Sequence, residues 1–300
     1  MNDPVLISIV LPTYNGSRYL SGAVESVRRQ TYPHWELLLQ DDCSTDSTPE
    51  LIGQLAARDS RIKPARNNTN LRLPRSLNAG FARALGDFLT WTSDDNEYEP
   101  TALAEMAKVL TQEPEIGLVY CDMLDIDENG AFTGKWTAPE PDQLGSVNSV
   151  GACFMYRREV GQAVGAYDDR WRLVEDWDYW LRVARQFSLR ALHQSLYRYR
   201  RHEASLTATR AAEIQRVQLE MLAVRIPELP RLPKNARAAA YLKLARSAEE
   251  LGDRERSKEF VRQARGFDLL QTLMVVTGRC ILGARRAGAI RQWWRQLRSR

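Results

Sequence analysis

Residues 89–100, "LTWTSDDNEYEP", start as a strand and end in acid. Leu89, Thr90 and Trp91 favour extended backbone and lead directly into two adjacent carboxylates, Asp94 and Asp95. Neighbouring carboxylates repel unless something positive sits between them or water screens them. The plain reading is a solvated loop capping a helix that starts near Pro100. The sharper reading is a divalent-cation site, because a hard cation takes carboxylate oxygens and keeps substrate phosphates as its other ligands.

Outward from this stretch the same strand-then-acid arrangement recurs. Residues 6–11 read as a buried strand, broken by Pro12 and the polar turn Thr13-Tyr14-Asn15-Gly16. A helix pattern follows from about 17 to 30. A second strand, 35–39, also ends in carboxylates, Asp41 and Asp42. Pro49 then falls in the first turn of a helix, where a missing amide costs nothing. Residues 62–65 read as a third strand, 76–85 as a helix and 88–92 as a fourth strand. Such alternation predicts an α/β fold, a mostly parallel sheet with helices on both faces. Ligands in such sheets bind outside the carboxyl ends of the strands. Pro12 to Tyr14, Asp41-Asp42 and Asp94-Asp95 should therefore share one rim.

The chain has 300 residues and 34.3 kDa, enough for one generous domain and an appendage. Its 44% hydrophobic and 27% charged residues suit an ordinary soluble globular protein. No apolar run is long enough to span a bilayer. The start lacks a basic n-region and a small-residue cleavage site, so a first strand is expected there, not a signal peptide. Four cysteines, Cys43, Cys121, Cys153 and Cys280, have no metal-ligand spacing. A reducing cytoplasm fits best. From residue 279 onward there are seven arginines and no acid, so the remainder of the +4 chain is near −3. Nucleic acid is a poor partner for such a body.

Three further stretches carry chemistry. In "QDDCSTDST" a helix start explains Asp46 and Ser47, and Asp42 less well. A carboxylate there could instead accept the ring N–H of uracil, thymine or guanine. In "LVEDWDYWLRVARQF" the acids Glu175 and Asp176 suit the helix dipole. Trp171, Trp177, Tyr179 and Trp180 beside them suit either a sugar face or core packing. In "YRYRRHEASLT", His202 follows Arg198, Arg200 and Arg201, a cluster able to face phosphate.

These stretches resemble, in this order, the family-2 inverting nucleotide-sugar glycosyltransferases of the GT-A fold. The matching pieces are "SIVLPTYNGSRYLSGAVESVRRQTYPHWELLLQDDCSTDST", "RSLNAGFARALGDFLTWTSDDNEYEP", "GAYDDRWRLVEDWDYWLR" and "YRRHEASLT". They cover about the first two thirds of the chain. The resemblance implies a GT-A catalytic domain over 1–206. It implies that Pro12 and Tyr14 line the base and ribose, that Asp42 accepts the nucleobase N–H, and that Arg72 contacts the nucleotide. Asp95 would bind the metal, Mn²⁺ or Mg²⁺, with Asp94 nearer the ribose or donor sugar. Asp176 would be the catalytic base, and His202 would complete the metal and diphosphate site. Many members carry a further acid where this chain has Thr92, which puts strict metal dependence in question.

The implied reaction moves a sugar from a nucleoside diphosphate, UDP or dTDP, to an acceptor hydroxyl with inversion. A non-catalytic sugar-nucleotide-binding module would need no base. A nucleotidyltransferase would want a Gly-rich phosphate loop after the first strand, which "LPTYNGSRYL" lacks. A helical extension is expected over 207–267, with two helices joined at Gly252-Asp253 as in a tetratricopeptide-like hairpin. In the tail, 268–300, Ile290, Trp293, Trp294 and Leu297 share one helical face and Arg291, Arg295 and Arg298 the other. Such a helix suits an anionic membrane surface or a docking face on its own protein. A peripheral place at the inner membrane face, with a saccharide or lipid-linked acceptor, would follow from the first alternative.

Overall fold

The computed structural model describes residues 5–203, 205–269 and Thr272. The amphipathic pattern expected within 279–300 lies outside the described residues. The chain divides into two compact units, Met1–Met221 and Leu222–Arg300.

The first unit opens with strand β1 (Ile7–Thr13), helix α1 (Leu20–Arg28), strand β2 (Trp35–Asp41) and helix α2 (Thr48–Arg58). Strand β3 (Ile62–Arg66), helix α3 (Arg72–Phe81) and strand β4 (Phe88–Trp91) follow. Every residue of β1 and β2 is buried, as expected of strands covered on both faces. The four strands pair in parallel in the order β3-β2-β1-β4. Thr13 lies opposite Asp41 in the register, so the carboxyl ends of β1 and β2 are level and form one rim.

The sheet continues through a short strand β5 (Glu97–Tyr98), helix α4 (Ala102–Gln112) and strands β6 (Ile116–Ile126), β7 (Phe132–Trp136) and β8 (Phe154–Arg157). Helices α5 (Arg158–Val164) and α6 (Glu175–Ala184) precede the long strand β9 (Ser188–Arg200). The complete path is β3-β2-β1-β4-β8-β6-β9-β5, with β7 on β6. Strand β8 runs antiparallel to β4 and β6, while β9 runs parallel to β6. The α/β expectation holds, with a parallel first half and a mixed second half.

Several boundaries differ from the sequence reading: β1 runs through Pro12 to Thr13 and β2 runs on to Asp41. Helix α3 begins at Arg72 and ends at Phe81, where 76–85 was expected. The amides of Leu71 and Arg72, at its start, donate to the Asp42 carboxylate at 2.8 and 2.9 Å. That side chain caps the helix from 30 residues upstream. At the other end the Leu85 amide leaves the helix for Glu36 Oε1 at 2.7 Å.

Beyond β9 come the short α7 (Leu206–Thr209) and α8 (Ala211–Arg225), then α9 (Lys234–Glu250) and α10 (Arg254–Phe267). The last two form a helical pair on either side of Gly252-Asp253. Gly252 takes φ +84°, a conformation that suits glycine at a helix end, and Asp253 accepts from the Arg256 amide at 3.0 Å. Tyr241 packs on Phe260 and Phe267 between the two helices. Among the described residues no helix is long and apolar enough to cross a membrane.

Candidate functional site

Four non-glycine residues among those described have positive φ: Asn15 (54°), Cys43 (66°), Arg72 (69°) and Leu173 (81°). Left-handed backbone costs about 1–3 kcal/mol at such positions. All four fall beside residues singled out from the sequence. Asn15 follows Tyr14, Cys43 follows Asp42, Arg72 is itself a candidate, and Leu173 lies three residues before Asp176. Backbone of this kind clusters at active sites and ligand clamps.

The rim is tied together across segments. Asn15 Oδ1 accepts from the Thr45 amide at 2.8 Å, and Ser44 Oγ accepts from the Asn15 amide at 2.9 Å. Pro12 is buried in β1 and Tyr14 is 47% exposed at the rim. Thr13 Oγ1 donates to Asp94 Oδ2. A Cβ at Gly16 would collide with both of those side chains, so the glycine is what lets the turn pass the acid. Burial, reinforced by neighbouring Asp95 and opposed by Thr13, pushes the Asp94 carboxyl up to about 6.

Asp95 Oδ2 lies 3.0 Å from His202 Nε2, while Asp95 Oδ1 is buried with no hydrogen-bond partner. Arg200 fixes this pair from below. Its Nε donates to the Asp95 carbonyl at 2.9 Å, its backbone amide to Asn96 Oδ1 at 2.7 Å, and its Nη2 to Glu97 at 2.8 Å. Thr92 is buried and shares a 2.6 Å hydrogen bond with the Tyr197 hydroxyl. The position where an acid was missed therefore belongs to the core. Among the described residues there is no group of three or more His, Cys, Asp or Glu able to hold a metal.

Asp42 is almost fully buried. Its Oδ1 accepts from Asn67 Nδ2 and the Leu71 amide, both at 2.8 Å, and its Oδ2 accepts from the Arg72 amide. An ionised carboxylate has about four lone-pair sites, so one on Oδ2 stays open. The helix-start reading of the same stretch holds for Asp46, whose Oδ1 accepts from the Thr48 amide at 3.0 Å. Ser47 also sits at the N-cap position of α2, without a side-chain cap hydrogen bond.

Asp176 begins α6. Its Oδ1 accepts from the Trp177 amide and its Oδ2 from Asn148 Nδ2, each at 2.7 Å. Burial raises its pKa, against the two hydrogen bonds that favour the ionised form. Burial and then the Asp176 charge push Glu175 up to about 8, and Glu175 Oε2 has no partner. A cavity of about 90 Å³ is lined by Glu175 with Arg72, Arg172 and Arg210. A larger one of about 380 Å³ is lined by Tyr199, His202, Ser205 and Thr207. Burial raises the Tyr199 pKa, with smaller contributions from the charges of Asp95 and Asp176.

One sequence reading needs correction, and one alternative left open is decided. Arg198, Arg200 and Arg201 do not present a free phosphate-binding face, because they pair with Glu99, Glu97 and Asp125 at 2.7, 2.8 and 2.9 Å. Of the aromatics beside Asp176, Trp177, Tyr179 and Trp180 are at most 2% exposed and belong to the core. Only Trp171 is half-exposed. Sequence reasoning also missed Thr13 and Asn148. Thr13 sits between two singled-out residues, which was a usable signal, whereas nothing local distinguishes Asn148.

Residues 8–165 match the model of glycosyl transferase family 2. The putative glycosyltransferase EpsE of Bacillus subtilis is 33% identical over 211 residues, 67% of this chain and 74% of EpsE. The O-antigen biosynthesis protein RfbC of Myxococcus xanthus is 32% identical over 69% of this chain, which spans only 16% of RfbC. It likewise spans 24% of the protein y4gI of Sinorhizobium fredii, at 29% identity over 71% of this chain. In fold, S. aureus TarS in complex with UDP-GlcNAc superposes with a TM-score of 0.65 at 17% identity, over 86% of this chain and 81% of that one. The mannosyltransferase PcManGT of Pyrobaculum calidifontis, with GDP-Man and Mn2+, gives 0.63 at 18%, over 97% and 84%. With its sheet order, its acid-bearing rim and these similarities together, the chain belongs to glycosyl transferase family 2.

Proposed function

We propose that this chain transfers a sugar from a nucleoside diphosphate, UDP or dTDP, to an acceptor hydroxyl with inversion at the anomeric carbon. The observation that supports this best is that Asp95, with Oδ1 buried and unpartnered, lies 3.0 Å from His202 Nε2 just past β4 and β9. A nucleotide sugar needs such a polar group toward its diphosphate, and on this reading Asp176 is the second acid, toward the incoming alcohol.

On this reading Pro12 and the exposed Tyr14 line the base and ribose, and the open lone pair of Asp42 Oδ2 accepts the ring N–H. Asp94 faces the ribose or donor sugar. Arg72, at the cavity it shares with Arg172 and Arg210, gives the diphosphate a planar, always-charged partner. The unpartnered Asp95 Oδ1, Asp95 Oδ2 and His202 Nε2 are a donor set suited to Mn²⁺ or Mg²⁺. When bound, the cation offsets the charge developing on the leaving diphosphate. Asp176 takes the acceptor's proton as the new C–O bond forms and the electron pair of the old one leaves with the diphosphate. An ordinary carboxylate is a weak base for an alcohol, so that transfer comes late.

RfbC acts, by its name, in O-antigen biosynthesis, which favours cell-surface polysaccharide or glycolipid assembly as the setting, at the cytoplasmic side. The basic tail would hold the enzyme near an anionic membrane and a lipid-linked acceptor. Liposome flotation with and without residues 279–300 tests this, and no difference retires it.

The function itself is tested by a thermal-shift panel of UDP-, dTDP- and GDP-sugars with and without Mn²⁺, followed by nucleoside diphosphate release. A uridine or thymidine sugar should stabilise the chain and be turned over. Stabilisation by no nucleotide sugar in either condition would overturn the proposal.

A further inference from the structure

Asn148 lies in the segment between β7 and β8, in which no motif was legible. That segment is fastened along its length. The Ala138 amide donates to Asp122 Oδ1 at 3.0 Å, and the Tyr120 hydroxyl donates to the Pro139 carbonyl at 2.7 Å. Trp177 Nε1, one residue after the proposed base, donates to the Leu144 carbonyl at 2.9 Å. Ser149 and Val150, directly after Asn148, are fully buried. The amide is thus delivered to Asp176 by a fixed backbone.

Its orientation is also fixed. Nδ2 donates to Asp176 Oδ2 at 2.7 Å, and a flipped amide would turn its carbonyl oxygen on a carboxylate that can only accept. In this orientation Asn148 Oδ1 is buried without a partner. An unsatisfied buried acceptor costs stability, and packing alone gives no reason to keep it. An apolar side chain would fill the space without that cost.

We infer that Asn148 is a positioning residue for the proposed base, aiming Asp176 Oδ2 and holding its carboxylate in the proton-accepting form. The inference rests on the reading of Asp176 given above. The other charged and titratable groups around Asp176 do not supply this help. Glu175 and Asp178 on α6 are acids, and the phenols of Tyr167, before α6, and Tyr199, on β9, are neutral groups whose pKa the Asp176 charge raises further. Arg172 acts on Glu175 and pairs with Glu213 at 3.2 Å. Asn148 supplies the side-chain hydrogen bond that opposes the effect of burial, beside the backbone amide of Trp177.

The test is the pH profile of kcat for wild type, Asn148→Ala and Asn148→Asp, read as nucleoside diphosphate release from the nucleotide sugar selected by the thermal-shift panel. Activity falls at low pH as Asp176 is protonated. Removing a hydrogen bond to a charged group should move this acid limb up by about one pH unit in Asn148→Ala, with the donor KM unchanged. Asn148→Asp keeps the shape but sets a second carboxyl beside the first, and should move the limb further. Loss by one factor at all pH values, or no loss, would overturn the inference. Asp176→Asn is the control: full activity there removes the base itself, a different failure from an unmoved limb in the Asn148 variants.

Discussion

Asp95 Oδ2 and His202 Nε2 lie 3.0 Å apart although 107 residues separate them in the chain. One follows β4 and the other follows β9, and Arg200 joins the two segments through the Asp95 carbonyl. On the proposed function, two side chains fixed this way, with Asp95 Oδ1 unpartnered, predict a metal effect confined to the cation-loaded enzyme. Asp95→Ala and His202→Ala should each weaken donor binding in Mn²⁺ by about tenfold or more, while wild type and variants converge in EDTA. Calorimetry with and without Mn²⁺ checks this. Equal affinities in both conditions would remove the metal role.

Asp176→Asn should lower kcat by about 10²–10⁴-fold while the donor Kd stays close to that of wild type. The change is nearly isosteric and keeps an acceptor oxygen for the Trp177 amide. If donor binding fell as much as turnover, Asp176 would be structural.

Asp42 has a stability role separate from any ligand. Asp42→Ala would remove the acceptor of the Leu71 amide and leave the Arg72 amide and Asn67 Nδ2 with only Asn70 Oδ1 and Ser76 Oγ, at about 1–3 kcal/mol for such a buried loss. Urea denaturation of the unliganded protein measures it. Unchanged stability would mean that the α3 start is satisfied another way.

His193 bridges Glu140 at 3.0 Å and the buried Asp122 at 3.2 Å, and these acids, Glu140 first, raise its pKa above 6.5. A raised folded-state value favours the fold while the ring is protonated. The contribution is full below the unfolded-state pKa of about 6.5 and is lost as pH rises through the folded value. The stability difference between wild type and His193→Gln should therefore be largest near pH 6 and shrink toward pH 9. A difference that grows with pH would contradict the assignment.

The strands of the first half were legible because each is a continuous apolar run ending in a polar turn, as β1 and β2 show. The start of α3 was not, because its cap, Asp42, comes from another element. The arginines before His202 were misread for a related reason. Arg198 faces Glu97 across the β5–β9 ladder, and a two-residue strand leaves no periodicity to find. Trp177 and Trp180 look like a sugar platform in one dimension, yet they lie on the face of α6 that turns into the core. Motif order singled out Asp95, Asp176 and His202 without showing that Asp95 and His202 lie 3.0 Å apart. Asn148 was invisible, since its meaning lies in a partner 28 residues away.

The most direct test is a crystal structure of the chain with Mn²⁺ and the nucleotide sugar that stabilises it most. The account predicts the diphosphate on the Asp95–His202 side, the base against Tyr14 and Asp42, and the anomeric carbon open to attack from Asp176. A donor bound with its diphosphate away from Asp95, or with Asp176 on the leaving-group side of the sugar, would contradict it.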